Sequence, residues 1–344
     1  MLICSIRHWP RLVSALLSLM VAVVCLTVVT AQPSGRFEQA LMLFRQKDYT
    51  EAAAALSAVV ATEPGRVEAR LWLGKSFINL GRFSEAEAEL RRFTLERPAN
   101  DEGFYLLAYV LFRQGRARES LAVCEQAANL KAPTADDLKI IGLNYGLLGN
   151  YDQAANYLTR AIAADPDNLE AHYYLGRVWF TLNRFADAIK EFRAVLQRDP
   201  QHVRAQNNLG QALEGQNDTE GALAAYRRAV ELDSRSQKPG ELPLLNLGAL
   251  LLQKNEVTEA ISILTRAVAV NPASAQVRFQ LGKAYLRQER LADAERELEA
   301  AVKLDPKDRG AHYQLGRLYH RLGKAEQARH ELEISEQLGS RGKP

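Results

Sequence analysis

Gly74-Lys75-Ser76 is the first short stretch whose residue types could do chemistry. A glycine before a lysine and a hydroxyl residue is how a phosphate-binding loop ends, with backbone N–H groups and the lysine holding phosphates. The complete motif needs another glycine five residues before Gly74, and Ala69 stands there. The fragment therefore does not predict a nucleotide site, and we expect no bound cofactor.

Histidine is the other residue type that could carry chemistry, as a metal ligand. His172 and His312 stand in nearly identical heptads, AHYYLGR and AHYQLGR. Protein zinc sites commonly place a second ligand one helical turn away, as in H-E-x-x-H. His312, His320 and His330 lack such a partner arrangement. We predict that the histidines pack or lie partly exposed, and that the chain binds no metal.

The two heptads belong to a regular spacing that positions every residue discussed above. Glycine or alanine recurs every 34 residues, following a leucine or isoleucine from Gly74 onward. The positions are Ala40, Gly74, Ala108, Gly142, Gly176 and Gly210, and then Gly248, Gly282 and Gly316. The one break in register is the 38-residue step from Gly210 to Gly248. A fixed period in this range predicts a repeat array.

Each unit reads as a helix, a turn and a second helix, most clearly in 275–308. Apolar residues recur at spacings of three and four in both halves, which is typical of amphipathic helices. Gly282 and Ala294 are small residues that would let the two helices approach closely. A glycine inside a helix costs about 1 kcal/mol relative to alanine, so the recurring glycines need a packing reason. Asp305 and Pro306 suit the end of the second helix.

Leu-Gly, then an aromatic residue, Ala, an apolar residue, Ala and Pro in this phase resemble the tetratricopeptide repeat. The resemblance implies an all-α, right-handed superhelical solenoid of helix-turn-helix repeats. Nine copies begin near Pro33, Val67, Asp101, Ala135, Leu169, Val203, Glu241, Ala275 and Arg309. The first copy departs with Gln39-Ala40, and the third with Ala108 and Ser120. Terminal copies of a repeat array are expected to be atypical because they cap the stack.

We place the solenoid at 32–338 and a polar tail at 339–344. The break in register falls in 234–243, SRSQKPGELP, with four inserted residues near 235–240. We interpret this segment as a longer loop between the sixth and seventh repeats. The alternative is a hinge that divides six repeats from three.

The first 31 residues lie outside the repeat array and have the pattern of a membrane-targeting leader. Arg7 and Arg11 precede an uncharged run over 12–29, and small residues precede Gln32. This pattern is typical of a cleaved secretory signal, and the run is also just long enough for a retained membrane anchor. Both interpretations place the repeats outside the cytoplasm, because positive flanks stay inside. Cys25 follows Val24 rather than the small residue of a lipoprotein signal.

Composition argues against a nucleic-acid-binding domain and against an array held by an internal disulfide. The net charge is only +3, from 44 basic and 41 acidic residues, whereas nucleic-acid-binding domains are usually strongly basic. Outside the leader Cys124 is the one cysteine of the chain, so an array without the leader could form no internal disulfide. We expect Cys124 to be a buried small hydrophobe rather than a reactive thiol.

In the family that the sequence resembles, one face of the first helices lines a concave groove that holds partner peptides. With about 100° per residue, this face carries Phe279 and Lys283, and the contact inside the pair does not need it. Transferred residue by residue, the groove set is Lys75, Tyr105, Tyr109, Phe112, Arg113, Tyr173, Arg177, Phe180, Phe279, Lys283, Arg287, Tyr313, Arg317 and Arg321. Aromatic and arginine anchors with mostly positive charge indicate an acidic partner segment. The alternative is that the basic chains only solvate this face.

Chaperone-tail receptors of this family use a clamp of Lys and Asn, which this sequence lacks. Lys139 has Leu143 four residues on, and Asn207 and Asn208 have no such lysine before them. The chain also lacks G-x-S-x-G, G-x-G-x-x-G and room for a catalytic domain. We predict a non-catalytic extracytoplasmic scaffold that binds protein or peptide partners. The alternative is an accessory that recruits partners to an envelope assembly, export or modifying-enzyme complex.

Overall fold

The structure, a computed structural model, describes residues 33–340. Within that range the chain forms eighteen α-helices and no strand, which confirms the predicted all-α repeat fold. The helices are α1 (Pro33–Arg45), α2 (Tyr49–Thr62), α3 (Glu68–Asn79), α4 (Phe83–Glu96), α5 (Asp101–Arg113), α6 (Ala117–Leu130), α7 (Ala135–Leu147), α8 (Tyr151–Ala164), α9 (Leu169–Thr181), α10 (Phe185–Arg198), α11 (Val203–Gly215), α12 (Thr219–Asp233), α13 (Leu242–Gln253), α14 (Val257–Val270), α15 (Ala275–Arg287), α16 (Leu291–Leu304), α17 (Arg309–Arg321) and α18 (Ala325–Ser340). Odd-numbered helices are the first helices of the nine predicted repeats.

The described residues form two compact units, 33–148 and 149–340. The division falls in the turn of the fourth repeat, so α7 belongs to the first unit and α8 to the second. In each unit consecutive helices pack in sequence order. Both sides of the 234–243 segment, which the sequence offers as a hinge, belong to the second unit.

The predictions for the two ends of the chain can be compared with the structure only in part. The leader, 1–31, and residues 341–344 lie outside the described residues. Of the predicted tail, Gly339 and Ser340 are the last two residues of α18, so the helical array ends slightly later than predicted. No helix within 33–340 has the length and apolarity needed to cross a membrane.

One residue in the turn of each helix pair has a left-handed backbone. It is glycine in four repeats (Gly81, Gly115, Gly149, Gly323), asparagine in three (Asn183, Asn217, Asn255), and Lys47 and Glu289 in the other two. Their φ angles lie between 57° and 76°. Glycine and asparagine tolerate this region best, and it commonly ends a helix. In the repeats that lie within one unit, this turn reverses the chain so that the second helix packs back on the first.

The recurring glycines have a packing reason, as the sequence predicts. A Cβ placed on Gly282 would lie 2.7 Å from Cγ of Leu298, and the small residue Ala294 on the second helix is fully buried. Gly176 faces Phe192 and Gly210 faces Tyr226 in the same way, at 2.7 Å and 2.5 Å. These large side chains are among the most deeply buried residues of the second unit. Glycine therefore makes room for a buried side chain sixteen residues later.

The second helices of the second unit end as the sequence predicts. Asp165, Asp199, Asn271 and Asp305 are the C-cap residues of α8, α10, α14 and α16. Each side chain accepts a hydrogen bond from the backbone N–H two residues on, at 3.0–3.2 Å. The proline between them disfavours further helix, and the carboxylate or amide oxygen stabilises the turn.

Cys124 lies on α6 and is 3% exposed, which confirms its prediction as a buried residue. Burial, with a smaller contribution from Asp137, raises the pKa of this thiol to about 12. Because the thiolate is the reactive form, Cys124 is chemically quiet in the folded chain. Gly74 lies inside α3 against Leu90, so the Gly-Lys-Ser stretch is helix rather than a phosphate-binding loop.

Candidate functional site

The predicted groove residues of α9, namely Tyr173, Arg177 and Phe180, line a cavity of the second unit. Tyr173 is 8% exposed, Phe180 is partly buried and Arg177 is exposed. The cavity has a volume of about 580 Å³. Its walls come from α9 and α10, α11, the end of α12, and the start of α13. The lining residues are Tyr173, Arg177, Phe180, Thr181, Phe192, Val203, Arg204, Asn207, Asn208, Gln211, Asp233, Gly240, Glu241, Leu242 and Pro243.

The inserted segment supplies one wall of this cavity. The C-terminal part of the segment is tied to its neighbours, because the Gly240 N–H donates to Asp233 Oδ2 at 2.7 Å and Asn271 Nδ2 donates to the Glu241 side chain at Oε1, at 3.1 Å. Leu242 remains 58% exposed beside the cavity. The segment is thus a loop, as predicted, and it forms part of the cavity wall.

Amide side chains form the floor between α9 and α13. Asn208 Nδ2 donates to the Tyr173 hydroxyl at 3.3 Å, and Asn246 Nδ2 donates to Asn207 Oδ1 at 3.0 Å. Asn207 is 7% exposed. These side chains hold neighbouring first helices in register, and they place amide groups at the cavity where a peptide backbone could bind.

Two guanidinium groups, Arg177 and Arg204, are the cations that line the cavity. Arg177 lies 6.0 Å and Arg204 lies 5.9 Å from the centre of the Tyr173 ring. Both are exposed, and within 33–340 neither forms an ion pair. The acidic residues of the cavity, Asp233 and Glu241, are held by the Gly240 N–H and by Asn271. The two arginines are therefore available to an external carboxylate.

A second cavity of about 350 Å³ adjoins the first, and the two share Phe180 and Gln211 as lining residues. Glu214 is the acidic residue that lines this second cavity. Both of its carboxylate oxygens already accept hydrogen bonds, from Tyr226 at 2.9 Å and Gln253 at 3.3 Å. The surface is therefore continuous along the first helices α9, α11 and α13.

Further along the second unit, α15 and α17 carry the remaining predicted groove residues. Lys283 lies 5.3 Å from the Phe279 ring centre, and Arg317 lies 5.7 Å from that of Tyr313, which is 46% exposed. Burial, and then the nearby Arg287, lower the pKa of Lys283.

The neighbouring cations on these helices are engaged within the chain. Arg287 donates to the Leu252 carbonyl, and Arg321 pairs with Glu289. Lys283 and Arg317 make no ion pair among the described residues. These two are the cations of α15 and α17 that a partner could engage.

The first unit carries the other five predicted residues, on α3 and α5. Lys75 pairs with Glu102 at 2.6 Å and lies 4.2 Å from the Trp72 ring centre, so its charge is partly neutralised. The Tyr105 hydroxyl donates to the Lys131 carbonyl at 3.0 Å, and Arg113 donates to the Tyr109 hydroxyl at 2.6 Å. Phe112 is partly buried.

The histidines of the two matching heptads are internal rather than part of this surface. His172 Nδ1 lies 2.6 Å from Glu191 Oε2, and Nε2 lies 3.2 Å from the Pro166 carbonyl. His312 repeats the arrangement with Glu331 at 2.6 Å and the Pro306 carbonyl at 3.1 Å. Both histidines are at least nine-tenths buried. They are structural residues that hold the first helix to the second.

Family models described as tetratricopeptide repeat match most of this array. The matched residues are 43–108, 103–126, 141–201, 180–237, 251–309 and 287–337. The chain belongs to the tetratricopeptide repeat family. Its described part is accordingly a scaffold of the kind that mediates protein–protein interaction.

Relatives of this repeat protein extend across distant organisms. The BBSome complex member BBS4 of Bos taurus is 24% identical over 212 residues, which are 62% of this chain and 40% of that protein. The type IV pilus assembly protein PilF of Pseudomonas aeruginosa is 29% identical over 142 residues, 41% of this chain and 55% of that protein. The chain spans about half the length of these relatives or less.

Among solved structures, the APC/C hetero-tetramer Cut9-Hcn1 superposes with a TM-score of 0.58. The match covers 85% of this chain and 57% of the other, at 15% sequence identity. At this identity the likeness shows a shared repeat fold and nothing about partners.

Part of the site was missed in the sequence. The notable omissions are Arg204, the amide floor and the wall formed by Gly240, Leu242 and Pro243. The 38-residue step in register was the signal that could have indicated the wall, since four extra residues must lie somewhere on the surface. The sequence around Asn207 and Asn208 argues against a chaperone-tail clamp, but it does not indicate that these two side chains line a cavity.

Proposed function

We propose that this tetratricopeptide repeat protein is a non-catalytic scaffold whose second unit binds acidic segments of partner proteins along its odd-numbered helices. The observation that carries the proposal is a set of cations without carboxylate partners in the described chain, each beside an aromatic ring. They are Arg177, Arg204, Lys283 and Arg317. Elsewhere in the unit many basic side chains are paired, as Arg198 is with Asp167 at 2.7 Å.

Unpaired cations beside aromatic rings favour binding for two physical reasons. An arginine or lysine that lacks a carboxylate partner can pair with a ligand carboxylate without first breaking an internal ion pair. Aromatic rings add contact area at small entropic cost, and such residues dominate the energetics of many interfaces. The partly buried Lys283 is screened less by salt than a fully exposed lysine.

Reversing the charge of Lys283 and Arg317 together is the test of this proposal. Peptides would first be selected on the wild-type chain from a random displayed library, and the affinity of an enriched peptide would be measured by fluorescence anisotropy. We expect enrichment of Asp and Glu, and at least a ~10-fold loss of affinity in the Lys283→Glu/Arg317→Glu variant, because reversal adds repulsion to the lost attraction.

The matched control reverses two exposed cations on second helices, Arg193→Glu on α10 and Arg266→Glu on α14. Both proteins have the same net charge change, so a nonspecific charge effect would weaken binding equally in both. Circular dichroism should show unchanged helix content, because surface substitutions usually alter stability by about 0.5 kcal/mol or less. Enrichment of neutral or basic peptides, or equal losses in both variants, would contradict the proposal.

We infer from the sequence that the scaffold acts outside the cytoplasm, since both interpretations of the leader lead there. If the leader is a cleaved signal, the intact mass of the protein purified from its native cells should correspond to a chain that begins at Gln32. A membrane-bound chain that retains Met1 would favour the anchor instead. A full-length chain in the cytosolic fraction would contradict both.

A role as an accessory of an envelope assembly is the second candidate. The similarity to the pilus assembly protein PilF, at 29% identity over 142 residues, favours it. Cross-linking in native cells followed by mass spectrometry distinguishes the two. A fixed set of partners in constant ratio indicates an assembly factor, whereas a varied set of acidic proteins indicates a general scaffold.

A further inference from the structure

We propose that the cavity walled by 234–243 is a specificity pocket for one kind of partner sequence. It takes an apolar side chain directly next to a single Asp or Glu, within an internal, extended segment of the partner protein. This inference rests on the proposed function, since it assumes that the same helices bind peptides. It names which sequence the second unit selects.

The inserted segment contributes Leu242 and Pro243 to the apolar lining of the pocket. Pro243 and Leu242 stand at the start of α13, facing a cavity that Phe180 lines from α9. More than half of the Leu242 surface is exposed, although the leucine sits beside aromatic residues in a concave site. Covering this leucine with a partner side chain would remove apolar surface from water, which is favourable at about 25 cal/mol per Å².

The loop is fixed well enough to act as a wall. Gly240 and Glu241 are both hydrogen-bonded, to Asp233 and Asn271 respectively, so the segment is tied to α12 on one side and to α14 on the other. A binding surface that is already ordered loses less conformational entropy when it binds.

The charges of the pocket favour one carboxylate rather than several. Arg177 and Arg204 line the cavity, and each lies about 6 Å from the centre of the Tyr173 ring, so a carboxylate bound beside that ring meets a guanidinium fork. Asp233 and Glu241 line the same cavity, and they would repel a second or third acidic side chain. Repulsion of the wrong ligand is a recognised source of specificity.

An internal segment fits better than a chain end because the pocket is open along the helices. Phe180 and Gln211 also line the neighbouring cavity of about 350 Å³, so a peptide chain can continue from one cavity into the other. The occupant is therefore an extended segment that passes through. A partner's terminal carboxylate is an outcome that the test must separate.

The test uses two peptide probes of roughly ten residues with blocked ends. The first has one Leu-Glu pair in a Gly/Ser background, and the second has four consecutive Glu residues in the same background. Two changes alter the apolar wall. Leu242→Ser removes its exposed apolar side chain, and deletion of 235–238, which restores the 34-residue period, shortens the loop that carries it. Because Leu242 is exposed, its replacement should leave the fold intact even if the deletion does not.

We expect each wall variant to bind the Leu-Glu peptide at least ~10-fold more weakly, while the affinity for the four-Glu peptide changes by less than about two-fold. The Lys283→Glu/Arg317→Glu protein should show the opposite pattern. If the wall variants bind the Leu-Glu peptide as tightly as the wild type while the charge variant behaves as expected, the pocket is overturned and the proposed function stands. If only the charge variant keeps its wild-type affinity for the four-Glu peptide, the proposed binding of acidic segments through Lys283 and Arg317 is overturned.

Two further outcomes decide the chemistry of the occupant. Replacing Glu by Gln in the first peptide should weaken binding to the wild-type chain, and unblocking its C-terminus should not strengthen it. No measurable binding of the blocked Leu-Glu peptide, or a requirement for a free C-terminus, would overturn the proposal.

Discussion

Gly282→Leu should lower the free energy of unfolding by about 1–3 kcal/mol or more, because it overfills a packed helix pair. Even the first carbon of the new side chain would lie 2.7 Å from Cγ and 2.9 Å from Cδ2 of Leu298. Leu298 is fully buried and cannot move toward solvent. The rest of the leucine side chain would have to displace α16 from α15.

Gly282→Ala is the graded control that separates packing from helix propensity. Both alanine and leucine favour helix over glycine, by up to about 1 kcal/mol, so propensity alone predicts that both variants are stabilised. The first repeat already has Ala40 at the equivalent place with Leu56 sixteen residues later, and both are fully buried. Alanine should therefore cause the smaller loss, since its Cβ requires Leu298 to shift but adds no further carbon, whereas leucine should cause a large one.

The measurement is thermal and urea unfolding followed by helical circular dichroism. In a repeat array the damage should be felt mainly by neighbouring repeats, because each repeat contacts only those beside it. Broadening of the transition is therefore an expected sign. A Gly282→Leu protein as stable as the wild type would show that the close approach is not required.

The repeat fold could be predicted from the sequence because its signals are periodic. The phase of Gly176, Gly210 and Gly282 located every helix pair, and the prolines located the ends of the second helices. The pattern did not indicate which large side chain lies over each glycine. In a helix that depends on rotamer direction, so spacing alone did not identify Leu298 over Gly282.

The candidate site was predicted less completely, because its distinguishing wall is not periodic. Tyr173, Arg177 and Phe180 could be transferred from the repeat pattern, and they do line one cavity. Gly240 and Leu242 could not, since the loop conformation depends on hydrogen bonds to Asp233 and Asn271 and on the packing of α13. Lys75 was predicted as a groove residue, but its place in the repeat did not indicate that it pairs with Glu102.

A recurring spacing of nineteen residues in the sequence was also overlooked. It joins a basic residue on a first helix to a glutamate on the second, in four repeats. The pairs are Arg70–Glu89, His172–Glu191, Arg278–Glu297 and His312–Glu331, with contacts of 2.6–2.8 Å. This spacing could have indicated that the histidines pair internally.

His172→Leu should destabilise the second unit by roughly 3–5 kcal/mol, since it leaves the buried Glu191 without its partner. The Pro166 carbonyl can only accept a hydrogen bond, so His172 Nε2 must donate to it. The short contact between Nδ1 and Glu191 then requires a proton shared by those two groups. A leucine supplies neither donor, and Glu191 is 8% exposed, too buried to be solvated well by water.

His172→Arg is the matched control, and the chain itself indicates that arginine fits. In the eighth repeat Arg278 donates to Glu297 at 2.7 Å and to the Pro272 carbonyl at 2.9 Å, the same two acceptors in the same places. We expect His172→Arg to unfold close to the wild-type urea concentration. The double variant His172→Leu/Glu191→Leu should recover much of the loss, because replacing both members of a buried pair by apolar residues is often neutral.

The stability change should also reach the binding surface, because His172 and Tyr173 are adjacent residues in the first turns of α9. If the pair holds this helix against α10, its loss should weaken binding of the blocked Leu-Glu peptide in His172→Leu but not in His172→Arg. Urea unfolding and peptide affinity measured on the same four proteins separate the possibilities. If His172→Leu alone were as stable as the double variant, Glu191 would have been solvated or protonated at no cost, and the pair would not be what fixes α9.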